Sequence, residues 1–167
     1  MVSSDLRELQ ELVKTTIPPE KKAIMTSETL GNIVYVLAKH LTKIAGYSVA
    51  STILIREIRD IGRKDAEKLK KLLEIKEKNL IGARQLLRTA GILLGLELRP
   101  QGEHSIVVDC PFAHVKQLQP LICKICVEYN KGILEGFAGP LFKLVEIKKL
   151  TSGDGYCEFE TVEAIKG

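Results

Sequence analysis

Leu96-Glu97-Leu98-Arg99-Pro100-Gln101-Gly102-Glu103-His104-Ser105-Ile106-Val107-Val108-Asp109-Cys110 is the stretch on which the fold class turns. Apolar and polar residues alternate up to Arg99, a Pro-Gln-Gly turn follows, and the return is rich in Ile and Val. That is the pattern of a β-hairpin. A second one closes the chain. There a strand over 141–150 meets the turn Ser152-Gly153-Asp154-Gly155, and a strand over 156–165 returns.

Upstream of the first hairpin the periodicity is helical. Residues 4–17 place Leu6, Leu9, Val13 and Ile17 on one face, with Ser4 or Asp5 as cap, and Pro18-Pro19 end the segment. After a polar stretch, Thr26 and Ser27 are candidate N-caps for a helix with Leu30, Val34, Leu37, Leu41 and Ile44 on one side. Gly46 is a break or a close helix contact, and Val49 and Ile53 carry the pattern on to about residue 62. A charged helix over 65–78 turns Leu69, Leu72, Leu73 and Ile75 inward, with Glu67–Lys71 and Glu74–Lys78 as i,i+4 pairs. A more apolar helix covers about 80–94. Between the hairpins, residues 111–136 form a helix around Cys123 and Cys126, stopped by Gly139-Pro140. Helices grouped first, then hairpin, helix and hairpin, predict an α+β fold: a helical N-terminal half on a four-stranded antiparallel sheet. The expected division is an N-terminal helix and linker over 1–25 and one domain over 26–167.

The 167 residues, 45% hydrophobic and 28% charged, suit one compact domain. There is no apolar run of membrane-spanning length, and the N-terminus lacks the pattern of an export signal, so a cytoplasmic location is expected. The net charge is only +4. Nine basic and six acidic residues interleave over 56–78 as solvated helix surface, so no nucleic-acid partner is expected.

All four cysteines, Cys110, Cys123, Cys126 and Cys157, lie in the last third of the chain. Cys123 and Cys126, at i and i+3, share a helix face. Cys110 ends a strand, Cys157 follows a turn, and Glu146 can add an oxygen. Thiolates and a carboxylate converging on one point suit zinc. The competing reading is that buried cysteines pack as small hydrophobes. A redox CxxC normally opens a helix, whereas this one sits within one. Of His40, His104 and His114, only His114 is near the cysteines in sequence.

These residues carry a resemblance. From about 96 to 162 the chain resembles the 4-vinyl reductase-type domain, a predicted hydrocarbon-binding domain. The matching elements are Cys123, Gly132-Ile133-Leu134-Glu135-Gly136, Glu146 and Gly153-Asp154-Gly155-Tyr156-Cys157-Glu158-Phe159. Related phenol-sensing domains place zinc ligands as Cys, then Glu 23 residues on, Cys 3 further and Cys 8 further, which lands here on Cys123, Glu146, Lys149 and Cys157. Lys149 departs from that pattern, and Cys110 or Cys126 is the candidate replacement. The resemblance implies a fold shared with trafficking-complex (TRAPP-type) subunits, a structural zinc, a homodimer, and a hydrophobic small molecule held between helices and sheet. Candidate lining residues are Leu37, Leu41, Tyr47, Ile53, Phe112 and Phe137. A sensor or carrier is the expected role, with no catalytic residues. The alternative is a reductase, or reductase accessory, acting on a tetrapyrrole vinyl group. No dinucleotide fingerprint is present, so that activity needs an outside hydride donor. A ligand-free interaction scaffold is a third reading.

Overall fold

The computed structural model describes residues 15–110 and 119–164. Most of the first amphipathic segment, together with Phe112 and His114, lies outside the described residues.

Helix α1 spans Pro19–Ala45, so the stretch expected as a linker is helical from Pro19 onward. Thr26 and Ser27 are not caps. Pro19 stands at the first helical position, where a missing N–H costs nothing, and Glu20 sits in the positive first turn. Ser27 is buried instead. Gly46, at φ 78°, ends α1 and begins α2, Tyr47–Leu72. The left-handed φ is why glycine holds that break.

Helix α2 runs through Gly62 without interruption, where two helices were expected. Glu74, at φ 52°, lies beyond the end of α2, so the expected helix does not reach residue 78. Leu69 is buried, whereas Leu72 is 69% exposed and not inward. Helix α3, Leu80–Leu93, is capped by the Asn79 side chain, which accepts from Gly82 N at 2.8 Å. Helix α4 is Gln119–Ala138.

The strands are β1 Glu97–Gln101, β2 His104–Asp109, β3 Phe142–Lys148 and β4 Cys157–Glu163. All pairs are antiparallel, in the order β1-β2-β4-β3. The expected α+β architecture is thus present. Register decides what faces the helices. Leu98 pairs with Val107, Val107 with Cys157, Ser105 with Phe159, Glu146 with Phe159, and Leu144 with Thr161. Because side chains alternate, this one set shares the inner face.

Helices α3 and α4 cover that face, and α2 packs behind them. Leu86, Ile133, Leu134 and Phe137 are the largest fully buried side chains, and the Phe137 and Phe142 rings stack at 6.4 Å. Backbone proximity sets how α2 meets α4. A Cβ on Gly62 would collide with Tyr129 O, one on Gly132 with Arg59 O, and one on Gly136 would stand 2.5 Å from Arg63 O. Gly62 therefore serves close helix contact within α2 and does not mark the end of that helix. Ion pairs flank this seam: Arg59–Glu128 at 2.7 Å and Arg63–Glu135 at 2.8 Å.

Helix α1 is the least embedded helix. Leu30, Ile33, Val36, Leu37 and Ile44 on it are each about half exposed or more. Among the described residues, no helix is long and apolar enough to cross a membrane.

Candidate functional site

A cavity of ≈ 80 Å³ lies between the inner face of the sheet and helices α3 and α4. One water needs roughly 10–15 Å³ of such space and one benzene roughly 150 Å³, so the cavity takes several waters and a ring would have to widen it. Leu87 and Gly91 of α3, Leu96 and Leu98, Val107, Val127 of α4, Leu144 and Phe159 form its apolar middle. Glycine at 91 brings the Leu98 side chain against the α3 backbone, because a Cβ there would stand 2.9 Å from Leu98 Cδ1.

The two ends are polar and differ in chemistry. At one end, beside the β1–β2 turn, are Arg88 and Ser105. At the other are Cys110, Cys123, Cys126, Cys157, Glu146 and Lys149. The five candidate metal ligands therefore come from two strands, a strand end and a helix to the rim of one cavity. None of the cysteines forms a disulfide. Cys110 follows β2, Cys157 opens β4, and Glu146 lies near the end of β3. Antiparallel pairing puts all three at the same edge.

Cys126 feels this gathering most. Burial, then the nearby thiols of Cys110, Cys123 and Cys157 and the Glu146 carboxylate, push its thiol up to about 12. Desolvation and added negative charge both oppose a second anion. Cys126 keeps some accessible surface because it also lines a groove on the far side of α4. Asn130 Nδ2 stands 3.8 Å from its sulfur and donates to Cys126 O at 2.8 Å. Cys157 is raised chiefly by burial, and it accepts from Leu150 N at 3.3 Å.

Lys149, which stands where the resembling pattern has a cysteine, puts its Nζ 2.7 Å from Glu146 Oε2. Asp154 Oδ2 accepts from Lys149 N at 2.8 Å and fixes the turn that carries it. Among the described residues, no group of three or more His, Cys, Asp or Glu side chains is arranged to hold a metal ion. Four thiols border one space, and the carboxylate beside them is paired with Lys149. His104 is elsewhere, on the outer face, with Nδ1 2.6 Å from Glu158 Oε1.

The expected ligand-binding residues are distributed differently. Leu37, Tyr47 and Ile53 are 62%, 56% and 39% exposed on α1 and α2. Those three and Leu41 do not line the cavity. Phe137 is in the solid core at 1% exposure. Helical spacing correctly groups such residues on a face but does not say what the face meets. A second space of ≈ 320 Å³, between α1, α2 and α4, is lined by Leu30, Val34, Ile58, Ile61 and Tyr129 among others. Its floor carries a hydrogen bond from Tyr129 Oη to Asp65 Oδ2 at 3.1 Å.

The lining residues that sequence reading missed had a signal. Leu96 and Leu98, Ser105 and Val107, Leu144 and Glu146, and Cys157, Phe159 and Thr161 each alternate along a strand, and only the register unites them. Arg88, like Arg84, is a charge within an apolar helical stretch.

Sheet, covering helices and a cavity between them make up an α+β fold. Among solved structures, the chain is similar to the phenol-responsive sensory domain of the transcription activator PoxR, determined with phenol. The TM-score is 0.56 at 18% identity, over 81% of this chain and 73% of that one. At that identity the likeness shows a shared fold. No family model matches the chain, and no curated protein matches it.

Proposed function

We propose that the chain is a sensor or carrier module that binds a small, mainly apolar molecule between its sheet and helices α3 and α4. The observation that carries this reading is the cavity itself, aliphatic in its middle and closed by a thiol cluster. A space lined by leucine and valine with a few placed polar groups is the usual form of a ligand pocket. The phenol-bound sensory domain of like fold supports a ligand on the scale of one ring. So does the resemblance to the 4-vinyl reductase-type domain.

The second part of the reading is one structural zinc at the thiol end. Cys123, Cys126, Cys157 and Cys110 would supply its thiolates. Glu146 would first have to leave Lys149, so sulfur rather than oxygen dominates the set. Bound zinc stabilises thiolates that are otherwise disfavoured there, and it ties α4 to the last hairpin. The exposed apolar side of α1 is the surface a homodimer would use.

Metal analysis of natively purified protein, with mass spectrometry of its small-molecule extract, tests both parts. About one zinc per chain and a copurifying apolar compound are expected. Cys157→Ser should lower zinc affinity on the order of tenfold or more. It should also speed amide exchange in β3 and β4. Metal-free native protein, with hairpin exchange unchanged in Cys157→Ser, would return the cysteines to ordinary packing.

A further inference from the structure

We propose that the cavity's ligand bears an anionic head, a carboxylate on a compact apolar body, and that Arg88 recognises it. This rests on the reading above that the cavity binds a small apolar molecule, and it adds the ligand's charge. Arg88 Nε donates to Ser105 Oγ at 3.2 Å, and Nη2 donates to Gly102 O at 3.3 Å and His104 O at 3.2 Å. All three acceptors are neutral. Among the described residues, Nη1 has no hydrogen-bond partner and no carboxylate pairs with this guanidinium.

Arg84, one turn earlier on the same helix, makes the contrast. Its Nη2 lies 3.0 Å from Glu103 Oε2 and donates to Thr161 O at 3.3 Å. Its charge is answered, and it does not line the cavity. Arg88 does line it, with its charge unanswered. The carboxylate among the described lining residues is Glu146, across Phe159 from Ser105 and held by Lys149 at 2.7 Å. In the register Ser105 and Glu146 both pair with Phe159, so they lie two strands apart on the same face, about 10 Å from each other. Among the described residues no ion pair joins Glu146 to Arg88, and the Glu146 carboxylate is taken up by Lys149.

The hairpin acceptors fix the guanidinium plane before any ligand arrives. A fixed guanidinium with one nitrogen open presents N–H groups to a carboxylate without reorganisation, and hydrogen bonds between two charged groups exceed neutral ones in strength. From Arg88 the apolar middle continues through Leu87, Leu98, Val107 and Phe159, which suits a ring or short chain behind the head.

Calorimetric titration of the full chain at low ionic strength with benzoate, its neutral isostere benzamide, and toluene tests this. Wild type should bind benzoate about tenfold or more tightly than benzamide. Arg88→Met should erase that preference while toluene binds both proteins alike, and Arg88→Lys should keep part of it. Equal binding of benzoate and benzamide by wild type overturns the assignment, as does a preference that survives in Arg88→Met. Should Arg88→Met fail to fold, the wild-type comparison and Arg88→Lys still decide. Toluene uptake without benzoate preference removes the role of Arg88 alone, whereas no uptake of any probe removes the binding reading as well.

Discussion

Gly132→Ala should destabilise the protein by about 3 kcal/mol, the upper end of what overpacking costs at a rigid contact. The new methyl group would meet the Arg59 carbonyl oxygen, with Arg59 C and Cα 3.0 and 3.1 Å away. These are backbone atoms of a helix and cannot rotate aside. To admit the methyl, α2 and α4 must separate, and that would stretch the Arg59–Glu128 and Arg63–Glu135 pairs across the seam. Ala66 would lose its contact beside Gly136 as well. Urea unfolding should show a lower midpoint with an unchanged slope, the signature of lost stability rather than a changed denatured state. Gly102→Ala is a useful contrast: nothing lies within 4 Å of its Cβ position, so only its φ of 60° opposes substitution.

In zinc-free protein, Cys126 should react with iodoacetamide about a thousandfold more slowly at pH 8 than an unburied thiol. The thiolate is the nucleophile, and its abundance at a given pH falls tenfold for each unit the thiol is raised. Raising from 9.0 to about 12 spans three such steps. The sign for stability follows from the same shift. Below pH 9 both folded and unfolded forms keep the proton, and the native preference for the neutral thiol is fully present. As pH rises from 9 towards 12 the unfolded chain releases its proton first, so stability declines through that window. Cys126→Ala should flatten the decline. Rapid alkylation of Cys126 in folded protein at pH 8 would contradict its burial among the other thiols.

Much of the architecture is legible in the chain because it is locally encoded. Alternation around Pro100-Gln101-Gly102, the polar turn at Ser152-Gly153-Asp154-Gly155 and the punctuation at Gly46 and Gly139 each depend on neighbours in sequence. The failures share a cause. Pro19 outcompetes Thr26 and Ser27 as the start of α1 because a proline at the first helical position needs no capping hydroxyl. The helical pattern reads as ending near Gly62, yet the role of that glycine depends on Gly132 and Tyr129, about seventy residues away. Leu37, Tyr47 and Ile53 follow helical spacing, which does not tell which side of a helix meets the cavity, and they do not line it.

The candidate site divides the same way. The cysteines and Glu146 were visible by residue type, and the fold does bring them to one rim. The apolar middle was not visible, since it needs the β2–β4 register that sets Val107 opposite Cys157. Nor was the meeting of Lys149 with Glu146, in which a lysine ammonium sits against the carboxylate expected to face a metal.

Methyl-resolved NMR of the full chain during titration with toluene tests the central claim most directly. The account predicts saturable shifts on Leu87, Leu98, Val107 and Leu144, with those of Leu30, Val34 and Ile58 unmoved. A spectrum that does not change, or shifts confined to the groove between α1 and α2, would contradict it.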